Sequence, residues 1–248
     1  MIASSLYFIQ EKLLFLPTQL AQDYEYQFDR NFEELFLKAE DGATINAIHF
    51  KSENPKGVIL YFHGNAGDLS RWGKITEYFV DFQYDVVVMD YRTYGKSQGV
   101  LSEAVLYSDA QLCYDYISKS FSDQDIVLYG RSLGTGIATY LAANNSANQL
   151  ILETPYYSIE DVAQYRFPFF SVKRLLKYKI PTYQYLKNVK CPVTIIHGTE
   201  DTVVPYGSGK KLMDLKMNNI KFVTVEGGHH NDLIHFEVYR NTIEKLLE

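Results

Sequence analysis

The chain has 248 residues, 46% of them hydrophobic and 22% charged, which is the size and balance of one large α/β domain and excludes a disordered or repetitive chain. Its formal net charge of −6, from 24 basic against 30 acidic residues, leaves no basic footprint for nucleic acid. Cys113 and Cys191 are the only cysteines and stand far apart without Cys/His ligand spacing, so neither a disulfide framework nor a zinc site is indicated.

Residues 1 to 16 are rich in apolar side chains, but Gln10-Glu11-Lys12 interrupts them and Pro17 ends them. The uninterrupted runs fall far short of the roughly 20 residues that cross a bilayer, and no basic stretch precedes them as in a secretory signal. Leu6, Ile9, Leu13 and Leu16 recur at helical spacing, which predicts an amphipathic helix in the N-terminal segment, residues 1–32. That helix either packs on the body of the domain or lies at a membrane surface, so the expected location is cytoplasmic with peripheral membrane contact as an open alternative.

From Glu33 onward strands and helices alternate. Glu34–Lys38 and Thr44–Phe50 read as a hairpin around Glu40-Asp41-Gly42, and the continuous apolar run Gly57–His63 as a strand covered on both faces. A helix is expected over Arg71–Phe82, a buried strand over Asp85–Asp90, a helix from Ser102 to about Lys119, and a strand from Ile126. Further strands are expected over Gln149–Glu153, Pro192–His197 and Asn219–Val225, with helices over Tyr206–Met217 and His230–Leu247. The alternation predicts a mostly parallel sheet with helices on both faces and functional residues at the carboxyl ends of its strands.

Two Gly-x-Ser-x-Gly patterns occur. Gly95-Lys96-Ser97-Gln98-Gly99 is separated from the strand before it by four residues and leads into no helix, so Ser97 reads as a loop residue. Gly130-Arg131-Ser132-Leu133-Gly134 follows a strand directly and opens a helix carrying Gly136 and Ala138, the arrangement of a nucleophile elbow. There a strand reverses into a helix within two residues, and only glycine on either side leaves room for the turn. Ser132 would project its hydroxyl above the sheet edge, activated once a base takes its proton.

Between Glu153 and Cys191 the alternation stops for nearly forty residues, many of them aromatic, including Tyr165, Phe170, Tyr178, Tyr183 and Tyr185. Such an interval predicts a small helical cap, residues 154–190, with Tyr156, Tyr157, Phe167 and Phe169 as candidate substrate-binding residues.

A nucleophilic serine needs a base, and the base an orienting acid, in the chain order Ser, Asp, His for this type of fold. Asp201 in the loop Gly198–Pro205 is the candidate acid, with Glu200 the alternative. After the last strand comes Gly228-His229-His230-Asn231-Asp232, and spacing does not choose between the two histidines as base. His49, His197 and His235 read as structural. An oxyanion would be met by the backbone N–H of Leu133 and of Asn65, the latter in His63-Gly64-Asn65-Ala66-Gly67, with His63 bracing that loop.

Taken together, His63–Gly67, the loop Asp90–Ser97, Gly130–Gly134, Gly198–Pro205 and His230-Asn231-Asp232 resemble the Bem46-like (ABHD13/ABHD17-type) α/β-hydrolases, near the serine aminopeptidase-like hydrolases. The resemblance runs from about Leu13 to the C-terminus. It implies an α/β-hydrolase fold with a central sheet of about eight strands, and His230, directly before Asn-Asp, as base. Here His229 stands where the family usually has glycine. The expected activity is that of a serine esterase on short to medium acyl chains, acting on a small-molecule ester or acyl substrate with no metal and no cofactor. Alternatives are an acyl-protein thioesterase or depalmitoylase, an aminopeptidase-like hydrolase, and a non-enzymatic ligand-binding module on the same fold.

Overall fold

The short apolar runs assemble into one sheet in the computed structural model, which describes residues 10–12, 14–169 and 172–248, and of Arg174 the backbone alone. Its strands are β1 (Phe32–Lys38), β2 (Thr44–Phe50), β3 (Val58–Phe62), β4 (Asp85–Met89), β5 (Ile126–Arg131), β6 (Gln149–Glu153), β7 (Val193–Gly198) and β8 (Ile220–Val225). They lie in the order β1-β2-β4-β3-β5-β6-β7-β8, with β2 antiparallel to both its neighbours and every other pairing parallel.

The central strands are buried on both faces because each face carries its own helical layer. Alternate residues of β3 divide accordingly: Val58, Leu60 and Phe62 join one core, Ile59 and Tyr61 the other. The first core takes its partners from α2 (Glu103–Ile117) and α3 (Leu133–Asn144); the second from α1 (Leu69–Thr76) and α7 (Glu237–Leu247). Side-chain caps fix where two of these helices start: Asp68 accepts from the Ser70 N–H at 2.7 Å, and Ser102 accepts from that of Val105 at 3.3 Å.

Three helices are shorter than the spacing predicts. The one expected over 71–82 ends as α-helix at Thr76, whose hydroxyl bonds back to the Trp72 carbonyl at 2.9 Å, and continues as a 3₁₀ turn. Gly207 and Gly209 weaken α6 (Tyr206–Lys210), which likewise passes into a 3₁₀ turn. The helix expected from His230 starts only at Glu237, because the residues before it form a loop in which the Asp232 carboxylate accepts from the His229 N–H at 2.7 Å.

Residues 154–190 contain α4 (Ile159–Arg166), a 3₁₀ turn at Val172–Arg174 and α5 (Thr182–Leu186), while Phe170 lies outside the described residues. Of the expected N-terminal helix, Leu6, Ile9 and Leu13 also lie outside them. Residues 10–12 and 14 are helical, and Leu16 follows in non-helical chain, 53% exposed. The described part of this segment packs on the domain: Thr18 donates to Gly67 at 3.0 Å, Leu20 to Gly95 at 3.0 Å, and the Gln10 side chain to the Leu175 carbonyl at 3.0 Å. Among the described residues no helix is long and apolar enough to cross a membrane.

Candidate active site

Strand β5 runs into α3 through Ser132, whose backbone angles are φ 50° and ψ −116°. A non-glycine residue there costs about 1–3 kcal/mol and must be held by its surroundings. The Ser132 N–H donates to the Glu153 carbonyl at 2.9 Å, and its own carbonyl accepts the Thr135 hydroxyl at 2.6 Å. The flanking glycines are steric requirements. A Cβ on Gly134 would lie 2.0 Å from the Phe62 carbonyl oxygen, and one on Gly130 would lie 2.6 Å from that of Gly134. Both clashes are with backbone, so Gly134→Ala is expected to destabilise the protein by about 3 kcal/mol, read as a lowered midpoint in denaturant at unchanged slope.

The Ser132 Oγ lies 2.9 Å from Nε2 of His230, and Nδ1 of the same ring lies 2.7 Å from an oxygen of Asp201. All three side chains are nearly closed to solvent. A carboxylate only accepts, so the Asp201 contact places the imidazole proton on Nδ1 and leaves Nε2 to accept from the serine hydroxyl. The second Asp201 oxygen accepts the Val203 and Val204 N–H groups, each at 2.8 Å. Burial pushes the Asp201 carboxyl up, but the hydrogen bonds from His197 and His230 outweigh it and hold the group well below the usual carboxylate range. A folded-state value below the unfolded one stabilises the fold above about pH 3.9, a contribution lost as pH falls through the folded-state value, so Asp201 stays ionised throughout the neutral range.

The alternatives are placed elsewhere. Glu200 is exposed and faces His229, whose Nδ1 lies 3.0 Å from the Glu200 carbonyl oxygen. His49 pairs with Asp85 at 2.9 Å, and His235 is exposed. His197 has a role that its place inside a strand did not suggest. Fully buried, it sits 3.3 Å from the Asp201 oxygen that also meets His230. Ser97 is a bridge within its loop, its hydroxyl donating to the Asp90 carbonyl and accepting the Asn46 N–H, both at 2.8 Å.

Leu133 begins α3 beside the serine, and Asn65 stands in the loop after β3. Neither backbone N–H meets a protein acceptor among the described residues. The loop is shaped by its side chains: the Asn65 amide oxygen accepts from Leu16, from Ala66 and from the Tyr94 hydroxyl, each at 2.8 Å. His63 lies beneath it, Nδ1 on the Gly64 carbonyl at 2.7 Å and Nε2 against Asp90 at 3.2 Å.

A cavity of about 350 Å³ opens beside Ser132, walled mainly by apolar groups of α4, of the N-terminal residues Leu14–Leu16 and of Val203 and Val204. Of the four expected substrate-binding residues, Tyr156 and Phe167 line it. Tyr156 is held by a 3.0 Å bond to the Leu133 carbonyl. Tyr157 and Phe169 do not: the Tyr157 ring stacks on Tyr183 with centroids 4.3 Å apart, and Phe169 is 96% exposed. Aromatic density marked the insertion but not which rings turn inward. Behind the serine, Arg131 joins the elements together, with Nε 3.1 Å from Glu153 and Nη2 3.3 Å from the His230 carbonyl. Among the described residues no three His, Cys, Asp or Glu side chains gather as a metal site.

The family described as Serine aminopeptidase, S33 (Hydrolase_4) matches residues 53–190. An uncharacterised protein of Acanthamoeba polyphaga mimivirus is 30% identical over 225 residues, 81% of this chain and 76% of that protein. Lysophosphatidylserine lipase ABHD12 of Danio rerio is 32% identical over 257 residues, 84% of this chain and 66% of that protein. In the mouse ABHD12 the matched share is 63%, so the chain spans slightly less than two thirds of these two ABHD12 proteins. Among solved structures the Pyrococcus furiosus esterase Pf2001 superposes with a TM-score of 0.72 at 15% identity, covering 93% of this chain and 98% of that one, a likeness of fold.

Proposed function

The chain belongs to the Serine aminopeptidase, S33 family of α/β-hydrolases, and from that premise we propose that it is a serine esterase acting on carboxylic esters of short to medium acyl chains. The observation that carries this reading is the unbroken relay Ser132–His230–Asp201, at 2.9 and 2.7 Å, at the mouth of an apolar cavity. His230 takes the hydroxyl proton as Ser132 attacks the ester carbonyl, and the Asn65 and Leu133 N–H groups meet the oxyanion. The imidazolium then returns the proton to the departing alcohol, and a water activated by the same ring cleaves the acyl-enzyme. The Bem46-like subtype rests on His63–Gly67 and His230-Asn231-Asp232.

The cavity sets the expected specificity. Each buried methylene contributes at most about 0.8 kcal/mol, a factor of up to about 4 in kcat/KM. Preference should rise a few-fold per carbon and stop where the 350 Å³ cavity is filled. A series from acetyl to palmitoyl p-nitrophenyl esters tests this, with a maximum expected at short to medium chains. A flat profile or a palmitoyl maximum would replace it with the thioesterase or depalmitoylase reading, which the half-exposed Leu16, Phe167 and Val203 favour by leaving the rim apolar.

An aminopeptidase would need an anion for the free N-terminus. No carboxylate stands among the described residues lining the cavity. The complete relay weighs against a purely ligand-binding module. The proposed location is the cytoplasm, with peripheral membrane contact as the alternative, which cell fractionation tests.

A further inference from the structure

Between α1 and the chain from Asn231 to Tyr239 lies a second cavity of about 280 Å³, which shares no described lining residue with the one beside Ser132. Arg71 and Lys74, one helical turn apart on α1, stand at it, with Arg131 as a third cation. Among its described lining residues the one carboxylate is Glu153. That group is already engaged by Arg131 at 3.1 Å, the Tyr129 hydroxyl at 2.6 Å and the Tyr239 hydroxyl at 3.2 Å. The Arg71 and Arg131 guanidiniums both approach the Trp72 ring, at 5.0 and 5.5 Å from its centroid. Neither Arg71 nor Lys74 meets a carboxylate among the described residues. In a chain of net charge −6, this is a local excess of positive charge facing an open cavity.

We propose that this cavity binds a phosphate-class anion, held by Arg71 and Lys74 and supplied by the alcohol half of the substrate or by free phosphate. A tetrahedral oxyanion offers several acceptors to a guanidinium fork and an ammonium at once. Asn231 adds a donor, since its amide oxygen is taken by Arg131 at 3.2 Å and its NH₂ is left over. The place of the cavity joins it to the chemistry. Trp72 donates to the Ala66 carbonyl of the oxyanion loop at 2.8 Å, Arg131 precedes Ser132, and Asn231 follows His230. The cavity is thus lined by the chain neighbours of Ser132 and His230, whereas the acyl cavity is bounded by Ser132 itself, Leu133 and Tyr156. The attribution to the substrate's alcohol rests on the esterase reading; anion binding itself does not.

Two measurements separate these parts. Inorganic phosphate titrated calorimetrically into Ser132→Ala should bind, and adding Arg71→Gln with Lys74→Gln should weaken it by about tenfold or more, as expected for lost charge-assisted bonds. With the chain carrying Ser132, monoacylglycerol and monoacylglycerol phosphate of the same acyl length are compared. The kcat/KM ratio should favour the phosphate ester by about tenfold and fall towards one in the Arg71→Gln, Lys74→Gln variant. Both side chains are on the surface, so the fold should persist, and Lys74→Gln alone provides a milder variant. Phosphate binding with no ester preference supports the site with a free anion as its source. Phosphate binding in a chain that cleaves no ester supports the site and removes the esterase reading. Absence of phosphate binding, or binding unaffected by the two substitutions, overturns the proposal.

Discussion

Ser132→Ala is expected to lower kcat for ester hydrolysis by about a million-fold, the scale on which loss of a nucleophilic serine acts when its base and oxyanion donors remain. The fold should survive, because the substitution removes one hydroxyl whose bond is to His230 and leaves the backbone bonds that hold the φ 50° turn. Circular dichroism and the denaturation midpoint check this. Ser97→Ala should behave in the opposite way. Its hydroxyl links the Asp90 carbonyl to the Asn46 N–H in a buried loop, so its loss should cost about 1–3 kcal/mol of stability while kcat changes by no more than a few-fold.

His230→Ala and Asp201→Asn should each reduce kcat by about 10⁴-fold or more, and for different reasons. The first removes the group proposed to take the serine proton. The second keeps the shape but offers an amide NH₂ to Nδ1, so the ring carries its proton on Nε2 and can no longer accept from Ser132. His229→Ala should cost less than about tenfold, because that ring faces the Glu200 carbonyl and not the serine. Steady-state kinetics on one short-chain ester, with all three variants at matched thermal stability, separates these outcomes. Equal losses in His229→Ala and His230→Ala would mean that the loop's packing, and not a single base, governs the rate.

The contrast between adjacent residues also marks how far the sequence could be read. Strands were legible because a parallel sheet buried on both faces demands apolar runs, and Val58–Phe62 and Gln149–Glu153 fall where patterning puts them. The elbow was legible because two glycines are forced by backbone contacts under 3 Å. Helix ends were less so. The loop from His230 to Phe236 has helical composition, yet its conformation is set by contacts to Asp201, Ser132 and Arg131 that no local propensity encodes. The same holds for His197, which reads as a strand residue until β7 and the following turn bring its ring to Asp201. In the insertion, Tyr156 and Phe169 are equivalent as aromatic residues, and only the packing against Leu133 distinguishes the buried ring from the exposed one. The N-terminal residues show a further limit: Leu14–Leu16 wall the cavity beside Ser132 through bonds to the loop Asn65–Gly67, a long-range pairing invisible in helical periodicity.

The central claim, that Ser132 is a nucleophile activated by His230, is tested most directly by reacting the protein with a fluorophosphonate and locating the adduct by mass spectrometry. The account predicts one adduct per chain, on the peptide carrying Gly130-Arg131-Ser132-Leu133-Gly134, lost in Ser132→Ala and strongly slowed in His230→Ala. An adduct on Ser97, or labelling of Ser132 that proceeds at full rate without His230, would contradict it.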